Sequence, residues 1–300
     1  MKKTGWKVFW IICGCLAAVG IFLTAAGAIL GGFGILHSDR DENILNRWLW
    51  RPVIVDKATV SSEREDIDAP GGAGTFTDSG YVPGEVNGDT VVAFDGISEL
   101  DIELTGLGVC VQPYDGDSVI ADTSGCRDDL QDKINVWQEG SELKIEMEDR
   151  GRLATENSGI MYISVPQGKY FSKISADAVA GLIEIKGVEA KEISASADAG
   201  QVIVSDFSAE RLEAECNVGE IILDGEVTSK AEIDCDMGDI QCTLPGAQET
   251  YDYEIDCDLG DVIIDGESYS SIHHRIKADN GSGCKIEADC NMGTIEIMFK

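Results

Sequence analysis

Ala195-Ser196-Ala197-Asp198-Ala199-Gly200-Gln201-Val202-Ile203-Val204 reads as two short alternating runs that meet at a glycine. The same phrase stands one repeat earlier, as Ala176-Asp177-Ala178-Val179-Ala180-Gly181 followed by Leu182-Ile183-Glu184-Ile185. It returns around Gly219, Gly238, Gly260 and Gly293, so the six glycines are spaced by 19, 19, 19, 22 and 33 residues. A fixed period in this range is the signature of stacked supersecondary units. Such a stack presents long faces rather than one enclosed pocket.

Side chains alternate across a strand, so residue type gives the register. Three residues before the glycines stand Ala178, Ala197, Cys216, Cys235, Cys257 and Cys290. One residue before them stand Ala180, Ala199, Val218, Met237, Leu259 and Met292. Two and four residues after come aliphatic side chains, with one cysteine, Cys242. All of these are assigned to an inner face. The opposite phase holds Asp198, Asn217, Asp236, Asp258 and Asn291, with Glu220, Asp239 and Asp261 just past the bend. Glycine suits a corner because it accepts positive φ and close backbone approach.

The predicted fold is therefore all-β: a parallel β-solenoid of short repeats of about 19 residues, two strands per repeat, stacked about 4.8 Å apart. Right-handed winding follows from the general crossover rule. An antiparallel sandwich of hairpins is the runner-up. The longer intervals read as coils carrying insertions at Pro245 to Thr250 and Glu267 to His274. Leu100–Leu104, Ile134–Trp137 and Leu143–Met147 alternate and are expected to begin and cap the stack. At the other end, Thr294 to Lys300 reads as a strand that simply stops, needing a loop or another molecule to cover it.

Upstream, Val8 to Leu36 contains no charged residue across 29 positions. That is long enough to cross a bilayer as one helix. Trp6 and Trp10 fall near one interface. A cleaved signal peptide ending at Ala26-Gly27-Ala28 is the competing reading. Gly27 and Gly31 form a small-xxx-small pair that could dimerise the helix. Residues 1–36 are thus expected to be a cytoplasmic stub and anchor. Residues 37–89, rich in Ser, Gly, Asp, Glu and Pro past Asp56, are read as a juxtamembrane segment and flexible linker. Residues 90–300 are the folded ectodomain, with the N-terminus inside the cell.

Three basic residues and no acidic one precede His37, which leaves 20 basic and 55 acidic residues in 37–300, a net charge of −35. This excludes nucleic acid as a partner, since affinity there rests on Lys and Arg neutralising phosphates. It also disfavours close docking on anionic lipid. Asp198, Asp236, Asp239, Asp258 and Asp261 are calcium candidates, because a carboxylate ladder supplies the oxygen ligands that hard cations take. Solubility and turn preference account for the same residues without a metal.

Of ten cysteines, Cys216, Cys235, Cys242, Cys257, Cys284 and Cys290 share the inner phase and read as packed thiols, small hydrophobes that replace alanine. Cys110 and Cys126 lie outside that ladder and are a candidate disulfide pair. Only three histidines are present, His37, His273 and His274, and no HExxH, GxSxG, Walker or dinucleotide motif occurs. Nothing in the chain calls for a cofactor.

Ile163-Ser164-Val165-Pro166, a polar turn, and then the repeated Ala/Cys-Asp/Asn-x-Gly-x-Ile-x-Ile resembles the bacterial putative-adhesin family of domain-of-unknown-function proteins, similar to the toastrack domains of envelope-stress systems. The resemblance spans roughly residues 90 to 300. It implies a repetitive β domain displayed outside a bacterial membrane, and it supplies no catalytic residues. The expected function is a non-enzymatic, membrane-anchored surface module that binds a protein or glycan ligand as an adhesin would. The alternatives are an envelope-stress or regulatory component docking a membrane partner and, third, a carbohydrate-active enzyme working from an acid cluster.

Overall fold

A computed structural model describes residues 75–77, 80–84, 86–147 and 158–300, with side chains described outside 75–82 and 270–274. The expected anchor, the Gly27/Gly31 pair and most of the expected linker lie outside the described residues. No helix among the described residues is long and apolar enough to cross a membrane.

The described chain is almost entirely β. A small hairpin pairs β1 (Thr75–Thr77) with β2 (Gly80–Val82). Then follow β3 (Val91–Phe94), β4 (Glu99–Leu104), β5 (Gly108–Tyr114), β6 (Val119–Asp122), one turn of helix α1 (Asp128–Gln131), β7 (Ile134–Glu139), β8 (Glu142–Met147), β9 (Ile160–Pro166) and β10 (Tyr170–Phe171). The repeats occupy β11 (Lys173–Lys186), β12 (Glu189–Leu244), β13 (Asp252–Ile264), β14 (Glu267–Ala278) and β15 (Lys285–Phe299). Thirteen strands form one hydrogen-bonded network.

The repeats pair in parallel with each phrase in register on the next. Ile174 faces Ile193, Ala178 faces Ala197 and Gly181 faces Gly200. Within β12, which runs 56 residues through Gly200, Gly219 and Gly238, the side-chain bonds keep the same step. Asn217 reaches Asp198, Gln201 reaches Glu220 and Arg211 reaches Glu192, each across 19 residues. The two arms of β11 pair with β4 before the glycine and β5 after it. β8 and then β7 extend the first arm, while β9, β6 and β3 extend the second. The strands expected to begin and cap the stack do so. They bury Leu100, Ile102, Leu143 and Ile145 at 1% exposure or less.

The interior is a filled row. The residues two and four past each glycine are buried, including Ile183, Val202, Ile221, Ile240, Ile295 and Val262 at 0%. Each full burial of such a side chain stabilises by about 1.5–3 kcal/mol.

Two expectations about order are corrected. The repeats do not stack in chain order. β15, the last strand of the chain, lies between β12 and β13 and is parallel to both. Cys235 faces Cys290 on one side, and Cys257 faces Cys290 on the other. The C-terminal strand is therefore not an uncovered end. Its last residues are held by backbone bonds from Gly246 to the Lys300 carbonyl and from Lys300 to the Leu244 carbonyl, and Phe299 packs on Tyr251 at 5.3 Å between ring centroids. The expected insertion at Glu267 to His274 is instead most of β14, which pairs antiparallel with β13 and ends the path of strands. The intervals of 22 and 33 residues thus record a skipped level that the chain fills last.

Candidate functional site

The glycine corner recurs in all six repeats, and it gathers their charged, apolar and thiol side chains. Gly200, Gly219 and Gly238 have φ of 138°, 148° and 148°. A Cβ on Gly238 would stand 1.7 Å from the Gly219 carbonyl oxygen, and one on Gly293 would stand 1.6 Å from that of Gly238. Successive glycines, Gly181 through Gly238, then Gly293 and Gly260, therefore lie directly on one another, in the spatial order that places β15 inside the stack.

Inside the corner, three residues before the glycine, Ala178, Ala197, Cys216, Cys235, Cys290 and Cys257 are buried, as expected. The thiols do more than fill alanine's place. Cys216 Sγ donates to the Gly200 carbonyl at 3.7 Å, Cys290 Sγ to that of Gly238 at 3.6 Å, and Cys257 Sγ to that of Gly293 at 3.8 Å. Each weak bond ties one level to the glycine of its neighbour. The eight described cysteines are all free and buried, Cys110 and Cys126 among them. Burial pushes the Cys126 and Cys242 thiols up to about 12 and those of Cys257 and Cys284 up to about 11. Cys235 is raised by its hydrogen bond with Cys290 and then by burial. Near Tyr162, burial and the adjacent Glu184 carboxylate push Cys110 to about 12. Such thiols stay protonated at neutral pH, which makes them poor nucleophiles.

Outside the corner the expectation for the preceding residue is corrected. Val218, Met237, Leu259 and Met292 are not inner residues; they are 51%, 51%, 48% and 47% exposed. Strict alternation fails because the ladder skips the second residue before each glycine. Cys235 pairs with Cys290 and Met237 with Met292, and the residues between them leave the ladder. Two consecutive side chains then point outward before the positive-φ glycine turns the chain. In spatial order the result is an apolar ridge, Val218, Met237, Met292 and Leu259. A local break in periodicity has no signature in residue type, so alternation alone could not find it.

Beside the ridge runs the column two residues before the glycines. In chain order it reads Asp198, Asn217, Asp236, Asp258, Asn291, with two aspartates adjacent. In space Asn291 lies between Asp236 and Asp258, so acid and amide alternate throughout. Asn217 Nδ2 donates to Asp198 at 3.0 Å, and Asn291 Nδ2 to Asp236 at 2.6 Å. The column just past the glycines gains one such spacer, although Glu220 and Asp239 stand on successive levels with none between them. Thr294 falls between Asp239 and Asp261, and its backbone N–H donates to Asp239 at 3.0 Å. The calcium candidates are therefore interleaved with uncharged groups. No group of three or more His, Cys, Asp or Glu side chains able to hold a metal occurs among the described residues.

A second acidic column, four residues before the glycines, has no such spacers: Glu215, Asp234, Asp289 and Asp256 follow one another. Desolvation, then the charges of Glu215 and Glu232, raise the pKa of Asp234; desolvation and the charges of Asp234 and Asp256 raise that of Asp289. Toward the strand starts, Lys230 pairs with Glu287 at 2.7 Å, and Arg275 Nε with Glu254 at 3.0 Å, next to Lys277 and Lys285. At the capped end a shallow depression of about 300 Å³ is lined by Glu103, Leu104, Thr105, Asp177, Ala178, Val179, Ser196 and Asp198. His273 and His274 fall on β14, opposite the β13 residues around Cys257.

The fold and corner define an all-β protein of in-register parallel repeats built on stacked glycines. A family model described as Toastrack DUF4097 matches residues 97–283, and the chain belongs to that family. Among curated proteins none matches. Of solved structures, the chain is similar to a putative cell adhesion protein from Clostridium sporogenes, with 14% identity, a TM-score of 0.34, and coverage of 70% of this chain and 98% of that one. It is similar to a putative adhesin from Bacteroides fragilis, with 10% identity, a TM-score of 0.30, and coverage of 69% and 96%. It is also similar to a putative lipid binding protein from Parabacteroides distasonis, with 12% identity, a TM-score of 0.28, and coverage of 71% and 98%.

Proposed function

We propose that this protein is a non-enzymatic binding module of the bacterial cell surface, in which the parallel ladders close into a right-handed β-solenoid carried outside the membrane on the helix expected at Val8–Leu36. The observation that carries the reading is the stacking of equivalent side chains into long outward columns over a filled interior. A repeated outer face suits recognition of an extended ligand, protein or glycan. The thiols are buried in the interior, and most of the carboxylates stand in rows along the outer face, which favours binding over catalysis. The anchor, with its short basic stub inside and residues 90–300 outside, would present that face to the surroundings.

A regulatory component that docks a membrane partner is the second reading, and the exposed ridge of Val218, Met237, Met292 and Leu259 favours it. Apolar side chains of this size suit a protein surface better than a glycan.

The test is topological and functional. The full chain, carrying a C-terminal epitope, is expressed in a bacterium. It should sediment with membranes and lose the epitope to protease added to intact spheroplasts. Incubated with a panel of cell-wall polymers, it should leave them intact. An epitope shielded until lysis, or polymer cleavage, overturns the proposal.

A further inference from the structure

We infer that the ridge at the glycine corner is a docking surface for an amphipathic helix whose apolar stripe is flanked by lysine and arginine. The inference rests on the binding-module reading and names the class of partner.

Four large side chains, Val218, Met237, Met292 and Leu259, stand about half exposed on four successive levels. Scattered exposed apolar residues are ordinary, whereas a contiguous row rimmed by polar groups marks an interaction site. Two of the four are methionines, whose flexible thioethers adapt to a partner's relief.

The spacing selects the occupant. Levels of a sheet stand about 4.8 Å apart. A helix presents an apolar side chain about every 3.5 residues, which at 1.5 Å per residue is about 5.2 Å. A strand presents one on a given face only about every 6.7 Å. Over the three intervals of the ridge the helix drifts by about 1.3 Å and the strand by about 5.7 Å, so a helix laid along the ridge keeps contact on all four levels.

Charge selects the flanks. No lysine or arginine occurs from four residues before to three residues after any of the six glycines. On one side of the ridge run Asp198, Asp236 and Asp258; on the other run Glu220, Asp239 and Asp261. A second copy docked ridge to ridge would set carboxylates against carboxylates. An anionic lipid surface would meet the same repulsion. A helix with basic residues on both borders of its stripe places cations over both columns, which steers association and fixes its direction of approach.

The experiment uses the full chain and an 18-residue peptide of leucine and lysine with leucine at helical spacing. Comparisons are the same peptide with glutamate for lysine, a scrambled leucine–lysine peptide that lacks the stripe, and phosphatidylglycerol vesicles. Binding is read by fluorescence anisotropy at two salt concentrations, and self-association by sedimentation. The striped lysine peptide should bind, and its affinity should fall at least tenfold in the Met237→Ser/Met292→Ser variant. Both residues are exposed, so the variant should keep its melting temperature. Glu220→Gln/Asp239→Asn should weaken binding and flatten its salt dependence, while Asp234→Asn/Asp289→Asn, one column further from the ridge, should do so at most half as much. Equal binding of the scrambled or glutamate peptide, indifference to the ridge variant, or a ridge-dependent dimer or vesicle complex overturns the inference. Surface display in spheroplasts would stand through any of these results, so failure of the ridge and failure of the module are separable.

Discussion

Asn291 donates from Nδ2 to Oδ1 of Asp236 at 2.6 Å, across 55 residues of chain, and so separates Asp236 from Asp258. Two aspartates adjacent among the repeats as written are never adjacent in the folded column. Filling the vacant level with the C-terminal strand inserts an amide, and Thr294 on the same strand separates Asp239 from Asp261. Unit charges about 5 Å apart near a protein surface repel by roughly 1–3 kcal/mol. Relief at two columns therefore favours this order over direct stacking of β13 on β12.

Asn291→Asp tests that order. It places three carboxylates on consecutive levels and removes the bond to Asp236. The expected loss is about 1–2 kcal/mol at neutral pH and low salt, read by urea denaturation and shrinking as salt is added. In a stack that followed the chain, position 291 would be terminal with one acidic neighbour, and the loss would be about half as large.

The stacked glycines are predicted to be irreplaceable. Gly238→Ala forces a side chain into φ of 148° with its Cβ 1.7 Å from the Gly219 carbonyl oxygen. The expected cost is at least roughly 3 kcal/mol, from strain and displaced backbone together. Gly266→Ala is the control: its φ is 79°, but nothing lies within 4 Å of the added Cβ. There the cost should stay near 1 kcal/mol. Thermal melts of the two variants separate them.

The acidic columns predict a stability maximum below neutral pH. Asp177, Asp234 and Asp289 have raised pKa values in the folded protein, chiefly through desolvation, so their ionised forms oppose folding. That penalty is complete above the folded pKa and is relieved as pH falls through it toward the ordinary carboxylate value. Glu254 is held down to about 2 by Arg275 and Lys277, and Glu287 is held down by Lys230 and Lys285. Their contribution is complete above the ordinary glutamate range and is lost as pH falls toward those lowered values. Denaturation midpoints should therefore rise from pH 7.5 to about pH 5 and fall steeply below about pH 4. A monotonic decline from pH 7.5 downward would contradict the column geometry.

The thiols predict slow chemistry. With Cys242 buried and its pKa near 12, and Cys257 near 11, alkylation at pH 8 requires opening of the stack. Mass spectrometry after native iodoacetamide treatment should find Cys110, Cys126, Cys216, Cys235, Cys242, Cys257, Cys284 and Cys290 unmodified, and all eight modified in guanidinium chloride. Substantial native labelling, or disulfides among these eight, would contradict the packing.

Residue type carried the repeat, the stacked glycines, the inner phase of Ala178 through Cys290 and the capping role of Leu100–Leu104 and Leu143–Met147. These are local consequences of a period near 19 and of alternation, which any strand in register must obey. Three things needed the tertiary structure: the outward turn of Val218, Met237, Leu259 and Met292, the antiparallel β14, and the place of β15 between β12 and β13. The ridge arises because the backbone skips a ladder position at the bend, and skipping is geometry rather than composition. The order of levels arises because equivalent phrases can pair with each other in any sequence. The order observed sets Asn291 against Asp236 and Thr294 against Asp239, contacts that exist only once the levels are assembled.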